Sequence, residues 1–311
     1  MTPRERGIAA LERRQPDDIV PTFELVYFLG PEKFGLDWTE NIYGLPTQAE
    51  KDRALREHAE LQVKIAEAYD YSIIRSDYPE VVRILKEWGL DRDYLIFGEA
   101  DGTMAIPNGQ SMVDVAIELR EKPNEVHERY RKHAQAAKER GARLADSGAD
   151  GVTMCSDYCF NVGPFLSPPM FREFVTPYLT EIIASHRANG LFTIKHTDGN
   201  IMPILDQLVE AEPTAIHSID PQANVDLAEV KRLVGDRVAL CGNVNCGLMQ
   251  TGTDEEVRND VLRSLRDGMP GGGYIFSTSN CAFRGLPLER YEMMMDLRKE
   301  FGRYDSPKQV S

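Results

Sequence analysis

Along the chain, apolar β-branched runs alternate with longer stretches in which apolar residues recur every three or four positions. That is the pattern of strand-helix units feeding a parallel sheet. Eight runs have strand character: residues 19–28, 71–75, 94–98, 150–155, 191–196, 215–219, 237–241 and 274–278. Helical periodicity fills residues 48–69, 81–88, 124–147, 169–188, 201–209, 227–234, 254–267 and 287–301. Thr253 ahead of Asp254 supplies an N-terminal cap, and Gly190, Gly235 and Gly268 follow helices as stops. Eight such units within 311 residues predict an α/β protein built as a single (β/α)8 TIM barrel with an N-terminal helical extension, one domain over residues 1–311. The glycine cluster of residues 268–274 precedes a strand instead of opening a helix, so it reads as a turn and not as a phosphate cradle.

In a barrel of this kind chemistry gathers at the C-terminal ends of the strands. Polar residues concentrate there: Glu24 and Tyr27 after the first run, Arg75 and Asp77 after the second, and Glu99 and Asp101 after the third. Cys155, Asp157 and Cys159 follow the fourth, and His196, Asp198 and Asn200 the fifth. His217 and Asp220, then Cys241, Asn243 and Cys246, then Asn280 and Cys281 end the last three. Asp and Asn after a strand are often helix caps or turn residues, and a free cysteine is often a small core residue. His196 with Asp198, Cys241 and Cys281 also has the makeup of a zinc site, because imidazole and thiolates suit that ion. Both readings stand at the level of residues alone. His58, His127, His133 and His186 lie on charged helical stretches and read as surface residues.

Charge narrows the partners. The formal net charge is −14 and the basic residues are scattered among acidic ones, so no stripe is available for a nucleic-acid backbone. No run of about 18 apolar residues occurs and the first residues have no signal-peptide core, which predicts a cytoplasmic protein without a membrane anchor. Five cysteines, all in the second half, predict reduced thiols and no disulfide framework.

Several segments together resemble the uroporphyrinogen decarboxylase superfamily. They are MTPRERGIAALERRQPDDIVPTFEL at the start, SPPMFREFVTPYL from Ser167 to Leu179, KHTDGNIMPIL, SIDPQANVDLAEVKRLVGDRVALCGNVN and GGYIFSTSNC. The Arg-Gln-Ala-Gly-Arg-Tyr signature that helps decarboxylases hold porphyrinogen carboxylates is missing, and PTFELVYFLGPEKFG stands there instead. The resemblance therefore points to the branch of corrinoid-dependent methyltransferases. Its coenzyme-M members hold zinc through a His-x-Cys pair after strand five and a Cys after strand eight. His196 and Cys281 match two of those positions, Asp198 replaces the middle cysteine, and Cys241 is the candidate for the missing thiolate, with Asp198 as fourth ligand or orienter.

What this implies is an O-demethylase type of transferase, using zinc, that moves a methyl group from a methoxylated, aromatic small molecule to the cobalamin or other corrinoid of a partner protein. Exchanging a thiolate for a carboxylate leaves the metal a stronger Lewis acid, which suits ether activation over thiol handling. Asp157, Glu24 and Asp77 are the candidate proton donors, and Tyr27, Phe28, Tyr158, Phe160 and Asn243 the candidate substrate contacts. A decarboxylase, a methylcobamide:thiol methyltransferase and a silent binding partner of a corrinoid protein are the alternatives; a homodimer is compatible with each.

Overall fold

Seven of the apolar runs become parallel strands of one curled sheet in the computed structural model, which describes residues 1–306 and 308. In chain order the strands are β1 (Ile73–Arg75), β2 (Leu95–Glu99), β3 (Gly151–Met154), β4 (Cys159–Phe160), β5 (Gly163–Pro164), β6 (Phe192–His196), β7 (Ala215–His217), β8 (Ala239–Val244) and β9 (Tyr274–Thr278). The large sheet runs β1-β2-β3-β6-β7-β8-β9, and β4 pairs with β5 as a separate antiparallel hairpin. Register places His196 beside His217 and His217 beside Cys241.

The expected eighth strand, residues 19–28, is not one. It lies between the two sheet edges and touches them at isolated points: Ser72 N donates to Thr22 O at 2.7 Å, and Phe276 N to Pro21 O at 2.9 Å. Two features interrupt the ladder. Pro21 has no N–H to give, and the backbone N–H of Thr278 at the end of β9 donates to the Glu24 carboxyl at 3.1 Å instead of to a strand carbonyl. The fold is therefore a curled seven-stranded sheet whose two edges are bridged at single points by an irregular stave, not a closed eight-stranded barrel, and the interruption frees Glu24 as a side chain at the mouth.

The inside of the sheet is apolar. Phe23, Ile73, Leu95, Phe97, Ile194, Ala215, Ala239, Cys241 and Ile275 pack together, and Ala10 and Leu11 of the helix Pro3–Leu11 join them. A Pro at the start and a Thr2–Glu5 capping box define that helix. Arg4 anchors it with two hydrogen bonds to Asp150, at 2.8 and 2.6 Å.

The helix Gln48–Tyr69 is built the same way, with Thr47 and Glu50 as capping box and Asp70 in the left-handed region at its end. Its buried face, including Ala54, Leu61 and Ile65, packs on the core and carries His58 and Gln62 toward the barrel mouth. Residues 169–188, expected as one helix, form two: Pro168–Phe174 and Thr176–Ala188. Pro177 lacks the N–H that would continue the first helix, and Val175 turns the chain. A helix at Met112–Glu121 and the β4-β5 hairpin escaped the sequence pattern.

His186 is fully buried, contrary to expectation. Its Nε2 lies 3.0 Å from Ala100 O, and Gly141 makes the room, since a Cβ there would come within 2.2 Å of His186 Nδ1. The glycine cluster forms a tight turn: Gly271, Gly272 and Gly273 all have positive φ, and a Cβ on Gly272 would meet Gln15 N at 2.4 Å. Among the described residues no helix is long and apolar enough to cross a membrane.

Candidate active site

Two strand ends meet at the mouth of the sheet. β6 stops at His196 and continues as Thr197, Asp198 and Gly199; β3 runs out through Cys155 and Ser156 to Asp157. One ligand atom from each of Asp157, His196 and Asp198 lies within 4.8 Å of the other two. His196 Nε2 is 3.6 Å from Asp157 Oδ1 and 3.8 Å from Asp198 Oδ1. Its other ring nitrogen, Nδ1, is engaged with His217 Nδ1 at 2.8 Å.

The two carboxylates are held by what surrounds them. Asp198 N donates to Asp157 Oδ1 at 3.0 Å, and Asn280 Nδ2 donates to Asp198 Oδ2. Asp198 Oδ1 is buried and has no hydrogen-bond partner. Gly199, with φ +82°, lets the loop pass under the hairpin; a Cβ there would sit 2.5 Å from Cys159 O.

Beneath Asp157 lies a buried ion pair. Lys195 Nζ donates to Asp101 Oδ2 at 2.9 Å, to Ser156 O at 2.8 Å and to Met154 O at 3.3 Å, while Ser156 N donates back to Asp101 Oδ2 at 3.0 Å. The ammonium also sits 4.2 Å from the centre of the Tyr158 ring. Both polar groups of the Ser156 residue preceding Asp157 are thus fixed by one charge pair.

Protonation states follow from burial. Burial, then the charges of Lys195 and Arg75, depress His196 to about 3, so its ring is neutral. Burial and the neighbouring Asp157 charge push Asp198 up to about 7. Burial opposes the charge of Asp101, but Lys195 and the hydrogen bonds from Thr103 outweigh it and hold the carboxyl well below its usual range.

A cavity of about 210 Å³ opens between the irregular first stave, the end of β1 and the helix Gln48–Tyr69; Asp157, His196 and Asp198 are not among its lining residues. Tyr27, Phe28, Trp38, His58 and Tyr78 give it aromatic walls, with Trp38 and His58 packed at 4.5 Å. Glu24, Arg75 and Asp77 line it as well, and Arg75 is the only lysine or arginine among its lining residues. Arg75 donates to Thr153 Oγ1 at 2.9 Å and to Asp77 Oδ1 at 2.5 Å. Burial and the charges of Cys246, Glu24 and Asp198 push the Cys281 thiol up to about 12.

Glu24 is buried, at 5% exposure. Burial pushes it up to about 8, against the hydrogen bonds it receives from Thr278 and Tyr291. Between about 4.5 and about 8 folding therefore takes up a proton here. Stability carries no cost from this group below about 4.5, declines as pH rises from there, and carries the full cost above about 8. Glu24→Gln, which keeps the shape and cannot ionise, is expected to leave the unfolding free energy unchanged at pH 4 and raise it at pH 9. Equal pH dependence of urea unfolding in the two proteins would contradict this.

Of the residues expected to touch a metal, His196 and Asp198 come together, joined by Asp157, which the sequence suggested as a proton donor. Cys241 and Cys281 are not in that cluster. The Cys241 thiol points into the apolar interior with Phe23, Ile194 and Ile275, where burial keeps it protonated. Tyr27, Phe28, Glu24 and Asp77 share the cavity. Three expected substrate contacts lie elsewhere. Tyr158 is buried against Thr103 Oγ1 at 2.5 Å, and Phe160 projects from the hairpin at 40% exposure. Asn243 is turned to the helix Asp254–Gly268, with Arg263 and Ser264 donating to it, and donates to Ile219 O at 2.7 Å. Lys195, Trp38 and His58 were missed, and His217 was noted as a strand-end residue without a role. A lysine inside an apolar strand, at position 195, was the available signal of a buried ion pair.

Comparison with known proteins agrees with this architecture. The chain is similar to the uroporphyrinogen decarboxylase of Pseudoalteromonas translucida, 32% identical over 122 residues that make up 37% of this chain and 32% of that protein. Against the enzyme of the same name from Neisseria meningitidis serogroup C the identity is 25% over 192 residues, 58% of this chain and 50% of that one. The matches thus span about a third to a half of those relatives' length. Among solved structures, a methyltransferase from Methanosarcina mazei superposes with a TM-score of 0.75 at 16% identity, covering 96% of this chain and 99% of that one, a likeness of fold. The pattern of the family described as uroporphyrinogen decarboxylase (URO-D) matches residues 103–301, and the chain belongs to that family.

Proposed function

We propose that this chain is a zinc-dependent methyltransferase that takes a methyl group from a methoxylated aromatic molecule and passes it to the cobalt of a corrinoid carried by a separate protein. The observation that carries this reading is the convergence of His196 Nε2 with carboxylate oxygens of Asp157 and Asp198, one of them buried without a partner. With His196 neutral these atoms offer lone pairs, and the imidazole nitrogen lies beyond hydrogen-bonding distance of both carboxylate oxygens, which favours a cation between them. One imidazole and two carboxylates fit zinc with a coordination position left open. Asp157, His196 and Asp198 would hold it, and its chemistry there is that of a Lewis acid toward the ether oxygen.

The remaining steps belong to the chain's own side chains. Tyr27, Phe28, Trp38 and Tyr78 stack on an aromatic ring and keep water out of the cavity. As the methyl leaves, the electron pair of the carbon-oxygen bond stays on oxygen, and the new carbon-cobalt bond uses the pair of cobalt(I). The oxygen then needs one proton, and Glu24, neutral in its buried setting at the cavity wall, supplies it. Asp77, ion-paired to Arg75 at the rim, is the group that shapes the entrance.

Support for methyl transfer comes from the fold shared with the Methanosarcina mazei methyltransferase. Family membership supports transferase-like or decarboxylase-like chemistry. Against a substrate with many carboxylates stands the cavity's one arginine, already committed to Asp77. The test is zinc-loaded protein mixed with a cobalt(I) corrinoid and a methoxyarene. Methylcobalt absorbance and free phenol should appear in equal amounts. Carbon dioxide released from a carboxylated porphyrinogen, with no methylcobalt, would establish the decarboxylase instead; consumption of methylcobalt by a thiol would establish the reverse methyltransferase. Binding to a corrinoid protein with none of these activities would leave a silent partner.

A further inference from the structure

The geometry points to His217 as a positioning residue that sets which nitrogen of His196 is free for a cation, an inference that rests on reading Asp157, His196 and Asp198 as a cation site. The two imidazoles meet Nδ1 to Nδ1 at 2.8 Å. Hydrogens on both nitrogens would collide, and hydrogens on neither would oppose two lone pairs, so one of the two rings donates and the other accepts.

The next link decides which. Ser277 Oγ lies 2.9 Å from Thr278 O, which can only accept, and we assign its single proton to that shorter contact. What it presents to His217 Nε2, 3.3 Å away, is a lone pair. His217 therefore carries its hydrogen on Nε2. The ring is fully buried, with the edge of Phe23 at 5.7 Å and no carboxylate on it, so it is neutral and its Nδ1 accepts. His196 must be the donor at Nδ1, which leaves the Nε2 lone pair facing Asp157 Oδ1 at 3.6 Å and Asp198 Oδ1 at 3.8 Å. The opposite arrangement would place an N–H on Nε2, too far from either carboxylate for a good hydrogen bond, and would close that nitrogen to a cation.

Two measurements on the full chain test this. In metal-free protein labelled with nitrogen-15 histidine, long-range proton-nitrogen correlations should show His196 hydrogenated on Nδ1 and His217 on Nε2. The reverse pair overturns the inference whether or not zinc binds. In zinc titrations, His217→Leu is expected to lower affinity by ~10–100-fold at unchanged stoichiometry, the usual loss when the partner of a ligating histidine is removed. His217→Gln, which keeps an accepting carbonyl, should recover part of it. Equal affinity in His217→Leu and the unaltered protein overturns the positioning role while the cation site stands. If His217→Leu does not fold, Ser277→Ala serves: mixed tautomers and weaker zinc binding are expected, and unchanged tautomers overturn the inference. Unaltered protein that takes up no stoichiometric zinc removes the cation site, and the positioning role with it, even where the tautomers are as stated.

Discussion

Asp198→Asn and His196→Ala should each strip stoichiometric zinc from the purified protein and lower methyl transfer by ~10²–10³-fold, the loss expected when several kcal/mol of Lewis-acid stabilisation disappear. The two variants should part company in stability. Asp198 is a half-buried carboxyl pushed up to about 7 by burial and by the Asp157 charge, whereas in the unfolded chain it returns to about 3.8. Below about 3.8 its ionisation costs the fold nothing; the cost grows as pH rises and is complete above about 7. Asparagine removes that cost and keeps a group the size of the carboxyl beside Asn280. Metal-free Asp198→Asn should therefore melt above the metal-free unaltered protein at pH 8 and alongside it near pH 4. His196→Ala should melt lower at both, because it leaves a gap beside His217 and an unpaired ring nitrogen there. Excess zinc, which stabilises only what binds it, should raise the melting temperature of the unaltered protein alone. A zinc-dependent rise that persists in Asp198→Asn would contradict the assignment of that residue as a ligand.

A site that gains stability when its ligand is removed is one whose geometry serves binding and not folding. This bears on what the sequence could show. The parallel strands were legible because runs such as 94–98 are apolar on both faces, and the helix Gln48–Tyr69 because Thr47 and Glu50 form a capping box at its start. The irregular first stave was not. Residues 19–28 have strand composition, and Pro21 together with the capture of the Thr278 N–H by the Glu24 side chain breaks the ladder.

For the site, strand-end position picked out His196, Asp198 and Asp157, but it could not say which side chains face one another. Cys241 ends an apolar run in the sequence just as His196 does, yet β8 runs on to Val244, so Cys241 lies inside its strand and its thiol packs in the apolar interior, whereas His196 ends β6. Asn243 lies two residues further on and turns outward to Arg263 and Ser264. The cavity walls were partly legible through Tyr27 and Phe28. Trp38 and His58 were not, since they come from a loop and from a helix whose charged neighbours suggested a solvated face.

Lys195→Met should be the most destabilising single change among these residues, by ~3–5 kcal/mol in denaturant unfolding, because it leaves Asp101 as an uncompensated buried charge. Nothing else near Asp101 can replace the ammonium. The pair is inaccessible, at 0% and 4% side-chain exposure, and the other partners of the carboxylate are Thr103 and the Ser156 N–H, which are neutral. The pH dependence carries the signature. In the unaltered protein Asp101 sits below its usual range, so its contribution is present above the unfolded value of about 3.8 and is lost as pH falls through the lower folded value. Without Lys195, burial dominates and the carboxyl rises, so the variant recovers stability as Asp101 takes up a proton. The gap between the two proteins should be widest near pH 7 and narrow toward pH 4. Adding Asp101→Asn to Lys195→Met should recover part of the loss at neutral pH, which a cavity left by the lysine stem alone would not allow. Zinc affinity should fall in Lys195→Met as well, since the same ammonium holds the Ser156 carbonyl at 2.8 Å, one residue before Asp157. A loss under ~1 kcal/mol, the value of an exposed pair, with a flat pH profile would show that the ion pair neither stabilises the barrel nor braces the loop that presents Asp157.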